Sequence, residues 1–275
     1  MSIQSPAGPV SDFVPADLDG RTWEALEPWY RQLLERPIPD AAALERLLLD
    51  RSELDAAAHE AHASLYIAMT CRTDDTEARD GYLAFVEKVD PQLREVGFEL
   101  DRRIAESPHV AELDQERYGV LLRGMRTDVE LFRPENIPLL TEETRLGQQY
   151  SETCGAMSVE FRGETKTLPQ MSPYLEETDR ATREEAWRLV AERRLADREK
   201  LDGIFERMLE IRGRIAGNAG LPDYRGFAFR SKHRFDYTPE DCMAFHRAAE
   251  EHCVPLVREL NEQRRELLGV DTLRP

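Results

Sequence analysis

The chain has 275 residues, with 37 Lys and Arg against 54 Asp and Glu and a net charge of −17. So acidic a surface repels phosphate backbones and anionic lipid headgroups, which argues against nucleic acid and membrane surfaces as partners. With 41% hydrophobic and 33% charged residues, the composition is globular and long enough to bury a real core.

Residues 1–18 carry Ser2, Ser5, Pro6, Gly8, Pro9, Ser11 and Pro15 and read as a flexible leader. No basic or apolar stretch precedes Val14, so no secretory signal is expected and the cytoplasm is the expected location. No apolar run approaches the ~18 residues that a membrane span needs. Four widely spaced cysteines fit reduced thiols in that compartment.

A helical N-terminal lobe is expected over residues 19–155. Thr22 is a fair N-cap, and Trp23, Leu26, Tyr30 and Leu33 share one helical face. Pro28 within that pattern predicts a kink or a later start. Pro37 and Pro39 end this helix. Asp40 caps a second, with Leu44, Leu47 and Leu48 inward. A third helix is expected over about 53–70, followed by a break at Thr73, Asp74, Asp75 and Thr76. The next, with Tyr82, Phe85, Val86 and Val89, runs until Pro91. Further helices cover about 92–106 and 109–130. Thr141 offers the following N-cap, with Glu142 and Glu143 in the first turn.

Residues 156–168 are the exception. Met157, Val159 and Phe161 alternate with Ser158, Glu160 and Arg162, and Gly163 then leads into Thr165, Lys166 and Thr167. Period two around a glycine predicts a β-hairpin. Two strands alone are marginally stable, so the hairpin must dock on helices. Asp179 opens what reads as the longest helix, to about Ala219, burying Trp187, Val190, Leu201, Ile204, Phe205, Met208, Ile211 and Ile215. Gly220 and Pro222 stop it. Thr238, Pro239 and Asp241 open the last helix, which Pro255 should kink. The expected fold is mainly α: a multi-helical shell of long helices with one small hairpin. No repeat of fixed period points to a solenoid.

Chemistry-bearing patterns are sparse. Asp55, His59 and His62 share a helical face, but His59-Glu60-Ala61-His62 spaces its histidines three apart, where a zinc peptidase helix has four. Cys242, His246 and Cys253 form a stripe, yet the two cysteines lie about 16 Å apart along the axis, too far for one ion. A buried stripe of small residues is the expected reading. There is no G-x-S-x-G elbow, no Walker loop and no G-x-G-x-x-G.

A longer text is more informative. Ser158 to Leu168 is followed by Pro173-Tyr174-Leu175, Asp179-Arg180 and the run from Arg214 to Arg225. Then come Arg234-Phe235-Asp236-Tyr237-Thr238-Pro239, Phe245-His246, Val254-Pro255-Leu256, Arg264-Arg265 and Leu273-Arg274-Pro275. In that order and spacing the chain resembles the N-terminal half of the oligoendopeptidase F family of zinc metallopeptidases, relatives of thimet oligopeptidase. The resemblance is most specific over residues 156–275, weaker but collinear over about 20–155, and does not cover the first 18. It implies a two-lobed helical enclosure around a deep channel, in which short peptides are cleaved with one zinc. That zinc is held by the histidines of H-E-x-x-H and a downstream Glu, and the motif's Glu activates water.

None of those residues occurs in this chain. The resemblance therefore assigns it no catalytic residue, no metal ligand and no cofactor of its own, although zinc is expected in the complete family enzyme. Residues 156–275 are expected to form the start of the catalytic domain, stopping before the zinc site. Such a front portion should be inactive alone, with short peptides and its own C-terminal catalytic half as partners, and should expose an apolar seam. Tyr224, Arg225, Arg234 and Tyr237 are the candidates for a channel wall facing a peptide backbone or carboxylate; alternatively they pin helices together through hydrogen bonds. The alternative for the whole chain is a stand-alone, non-catalytic helical peptide- or protein-binding protein.

Overall fold

The structure is a computed structural model that describes residues 12–72 and 74–274. Most of the expected leader lies outside the described residues; of its end, Phe13, Val14 and Leu18 pack against a core. The fold is mainly α with one two-stranded antiparallel hairpin. It divides into two compact units. The first runs to Gln149 and adds Met208–Phe227, and the second comprises Tyr150–Arg207 and Ala228 onward.

The first unit is built from α1 (Trp23–Glu35), α2 (Ala41–Cys71), α3 (Thr76–Ala84), α4 (Asp90–Ala105), α5 (Gln115–Leu131) and most of α6 (Ile137–Gly155). Leu26, Leu33, Leu44, Leu47, Leu54, Leu100 and Ile104 are fully buried in its core. Side-chain caps set several starts. Asp40 accepts from the Ala43 N–H at 2.8 Å, Asp75 from Ala78 at 3.0 Å and Asp114 from Glu116 at 2.9 Å, each satisfying a donor the helix cannot. Thr22 occupies its N-cap position without a side-chain cap bond.

Three expected boundaries are corrected. The second and third helices are one 31-residue helix, α2, because no glycine or proline between Leu48 and Leu54 interrupts the ladder. The helix approaching Pro91 does not stop there. A π-turn over Phe85–Val89 joins α3 to α4, with the Asp90 N–H bonded to the Phe85 carbonyl five residues back. The ladder is thus already widened where proline has no N–H to give. Thr141 is not a cap either: it lies inside α6, its hydroxyl donating to the Ile137 carbonyl at 3.2 Å.

Charged groups in this unit are consumed by structure. The Arg51 guanidinium bonds Asp101 at 2.6 Å and Asp55 at 3.3 Å, and the Tyr30 hydroxyl donates to Asp55 at 2.6 Å. Arg103 of α4 donates to the Leu33, Leu34 and Arg36 carbonyls. That supplies a positive cap for the C-terminus of α1, whose own last turn has no basic residue. Asn136, also buried, donates to the Ile215 carbonyl at 3.1 Å and accepts from Asn218 at 2.8 Å.

The second unit contains the hairpin, β1 (Ser158–Phe161) and β2 (Glu164–Thr167), paired Ser158 to Thr167 and Phe161 to Glu164. Arg162 and Gly163 both have positive φ, 54° and 85°, the pattern of a two-residue primed turn. Val159 and Phe161 face inward with Met157, Leu168, Met171 and Ala186, so the hairpin docks as its size demands. After the short α7 (Leu168–Met171), the expected longest helix is two: α8 (Arg180–Ala196) and α9 (Arg198–Asn218), the latter counted with the first unit from Met208 on. They part at Asp197, whose N–H turns back to the Arg194 carbonyl and whose carboxylate takes Arg193 at 2.5 Å. On these helices Ile204, Ile211 and Ile215 are buried as expected, but Trp187 and Phe205 are 43% and 57% exposed. Gly220, at φ 73°, ends α9 with the Leu221 N–H on the Ala216 carbonyl. Then follow α10 (Tyr224–Ser231), α11 (Pro239–Ala248), opened by a Thr238–Asp241 capping box, and α12 (Val254–Leu268). The anticipated kink at Pro255 is again met by a π-turn, Ala249–Cys253, with the Val254 N–H on the Ala249 carbonyl.

Candidate functional site

Tyr224 opens α10 beyond Asp223, whose carboxylate caps the Gly226 N–H at 2.8 Å. The Tyr224 ring stacks on Phe227 at 5.7 Å, and the Arg212 guanidinium lies 5.2 Å from its centroid. Arg212 donates to Glu143 at 2.6 Å. Burial first, and then the Glu143 charge, push the Tyr224 hydroxyl up and keep it protonated. Burial opposes the Arg212 charge most strongly, but the bond to Glu143, the Glu143 charge and Tyr224 together outweigh it and hold the guanidinium above its ordinary value. The cluster joins α6, α9 and α10 within the first unit. Arg225 is exposed and pairs with Asp223 at 3.6 Å.

Arg234 and Tyr237 belong to the second unit and do meet. The Arg234 guanidinium lies 5.2 Å from the Phe229 ring and 6.0 Å from the Tyr237 ring, and those rings meet edge to face at 5.7 Å. Tyr237 is 44% exposed. A guanidinium held on two aromatic faces beside a phenol can receive a carboxylate or a peptide carbonyl. The four candidates thus divide: Arg234 and Tyr237 form one group, Tyr224 is bound to Arg212, and Arg225 stands apart. Spacing alone did not single out Arg212 or Glu143.

The metal-like patterns are used otherwise. His59 is exposed, whereas His62 packs its ring 5.6 Å from Tyr82 and 5.2 Å from Phe85. Asp55 is taken by Tyr30 and Arg51. Among the described residues, no group of three or more His, Cys, Asp or Glu side chains converges as metal ligands would. The residues present do not fit a zinc site. No described helix is long and apolar enough to cross a membrane.

The stripe of Cys242, His246 and Cys253 is not buried: Cys242 is half-buried, and the other two are exposed. The reason is general to this region, since α11, the π-turn and α12 contain no buried residue. They nevertheless carry large apolar side chains, with Phe245 73%, Leu256 61%, Leu260 59% and Leu267 88% exposed. The signal was present in sequence, because Leu256, Leu260 and Leu267 recur at i, i+4 and i+11 on one face. Beside the end of α12, a cleft of 460 Å³ is lined by Arg180, Arg183, Trp187, Arg188, Leu268 and Arg274, among others.

Two family models match the chain: the Peptidase M3 N-terminal domain over residues 13–132 and Peptidase family M3 over 173–275. No curated protein matches it. Among solved structures, it is similar to one assigned to an oligoendopeptidase F, with 24% identity and TM-score 0.86 over 91% of this chain and 44% of that one. A second, assigned to an oligoendopeptidase F from Bacillus anthracis, is 22% identical with TM-score 0.85 over 91% and 46%. PZ peptidase A in complex with an inhibitor is 24% identical with TM-score 0.86 over 91% and 45%. The chain spans less than half the length of each of these structures.

Proposed function

Since the chain belongs to peptidase family M3, we propose that it is the N-terminal portion of an oligoendopeptidase F-like zinc metallopeptidase that hydrolyses short peptides. The observation that carries this reading is the pair of family matches, one to the N-terminal domain and one running through residues 173–275. The zinc site, the water-activating Glu and the bulk of the peptide channel belong to the C-terminal half. There the metal would polarise the scissile carbonyl. This portion contributes a helical lobe, the hairpin and the first helices of the catalytic domain. Among its polar surfaces, the Phe229–Arg234–Tyr237 group is suited to hold a peptide carboxylate or backbone. The acidic composition fits the cytoplasmic location we propose for it.

The isolated 275-residue chain is expected to be inactive on internally quenched peptides of about ten residues, a length suited to a channel. The protein isolated from its own cells should hydrolyse them and lose that activity to a zinc chelator. Chelator-sensitive hydrolysis by the isolated chain would sink the claim that its chemistry lies elsewhere. Absence of such hydrolysis in the native material would sink the peptidase reading itself.

A further inference from the structure

On a chain of net charge −17, α8 carries an unusual face. Arg180, Arg183, Glu184, Trp187 and Arg188 fall at i, i+3, i+4, i+7 and i+8, along one side of the helix. Opposite them lies the stretch that follows α12. Gly269, at φ 61°, turns the chain there, with the Val270 N–H on the Arg265 carbonyl at 3.2 Å. Val270, Thr272, Leu273 and Arg274 thereby form the facing wall of the 460 Å³ cleft. Both walls belong to the second unit. Four arginines against one glutamate make the cleft positive on an otherwise acidic protein.

The four arginines are not equally committed. Arg188 pairs with Glu184 at 2.7 Å, and Arg183 donates to the Glu177 and Thr178 carbonyls. Asp179, at the head of α8, is taken by the N–H and hydroxyl of Thr182. Arg180 and Arg274 have no hydrogen bond or ion pair among the described residues. The bond and charge of Arg188, followed by the charges of Arg180 and Arg274, hold Glu184 below its ordinary value, so both uncommitted guanidinia act on the same hollow. Trp187, whose place in the helical pattern predicts burial, is instead 43% exposed and lines this cleft. A guanidinium presents a planar fork that matches phosphate oxygens, and an open indole offers a face to a flat ring. A volume of 460 Å³ lies in the range of small-molecule sites, about 300–1,000 Å³, and is too small for a folded partner.

We propose that the cleft between α8 and Val270–Arg274 binds a nucleoside phosphate, with Arg180 and Arg274 on the phosphate and Trp187 stacked on the base. Arg183 and Arg188, already held by protein partners, add positive field. A bare phosphate would leave the indole unused. The site stands or falls independently of the peptidase reading.

Equilibrium dialysis of the native protein purified from its own cells, against AMP, adenosine, ribose 5-phosphate and inorganic phosphate in turn, tests it. AMP should bind, and more weakly as salt is raised. Adenosine, ribose 5-phosphate and inorganic phosphate should each bind about ten-fold more weakly or worse. Arg180→Ala, Arg274→Ala and Trp187→Leu, introduced in the cell, should each weaken AMP binding about ten-fold. Arg126→Ala, the same loss of charge at an exposed position of α5, should leave it unchanged. Because Arg180 and Arg274 are exposed, their removal should leave far-UV ellipticity and the thermal midpoint as they are. No AMP binding at about 1 mM overturns the proposal. AMP binding that survives loss of both Arg180 and Arg274 places the ligand elsewhere and overturns the site. Ribose 5-phosphate or inorganic phosphate bound as tightly as AMP overturns the part given to Trp187 and the base.

Discussion

Single side chains in the first unit show how polar groups are paid for by partners rather than by water. Tyr118 donates to Glu45 at 2.6 Å, and burial, then that bond, push its hydroxyl up to about 12. The folded pKa is above the unfolded value of about 10, so the stabilisation is complete below pH 10 and is lost as the pH rises through about 12. Tyr30 and Tyr224 are pushed up as well, so Tyr118→Phe should remove one of several late-titrating tyrosines from the phenolate absorbance curve, and Glu45→Gln should bring that one earlier. An unchanged titration in Glu45→Gln would refute the assignment. Arg103 offers a second test. Its guanidinium serves three carbonyls at the end of α1, so Arg103→Ala should cost about 1–3 kcal/mol in urea unfolding, and Lys should restore only part because it lacks the fork. Gly20 is a third, because a Cβ there would lie 2.6 Å from the Ala57 carbonyl oxygen. Gly20→Ala should cost about 1–3 kcal/mol by thermal unfolding, and a neutral result would mean that the loop simply moves aside.

At the scale of elements, caps at Asp40, Asp179 and Thr238 were legible in the sequence, those expected at Thr22 and Thr141 were not made, and several interruptions were missed. Asp40, Asp179 and Thr238 bond the N–H three residues on, an interaction that depends only on local spacing. The hairpin was legible for the same reason. The fates of Pro91, Asp197 and Pro255 were not, because a helix can absorb a proline by widening one turn and can break without glycine or proline. The candidate site follows the same rule. Arg234 and Tyr237 are three residues apart and meet, whereas Tyr224 answers to Glu143, brought in through α6 and Arg212. The caps also predict an acid response. Hydrogen bonds from Ala78 to Asp75, from Thr182 to Asp179 and from Thr238 to Asp241 hold these carboxyls below their ordinary value. Depressed folded values mean stability that is present above the unfolded pKa of about 3.9 and lost as pH falls through the lower folded values. Helical ellipticity should decline in that acid window, and Asp179→Ala should flatten the decline; an identical acid profile in the variant would refute the cap's role.

For the whole molecule, the long α11–α12 element carries large exposed apolar side chains and no buried residue. It predicts that the isolated protein binds a hydrophobic dye and self-associates as its concentration rises, with Leu256→Glu and Leu260→Glu suppressing both while far-UV ellipticity holds. Dye binding unchanged by these substitutions would place the sticky surface elsewhere, for example on Phe205 and Leu209 of α9.

That element also has a temporal consequence. At about 5–20 residues per second, the segment from Pro239 to Leu268 takes a few seconds to be synthesised, and its apolar face is bare from the moment that it leaves the ribosome. For that interval the leucine stripe stands bare on a nascent chain. The charge of −17 then serves as a colloidal safeguard, keeping neighbouring nascent copies apart while that face is exposed.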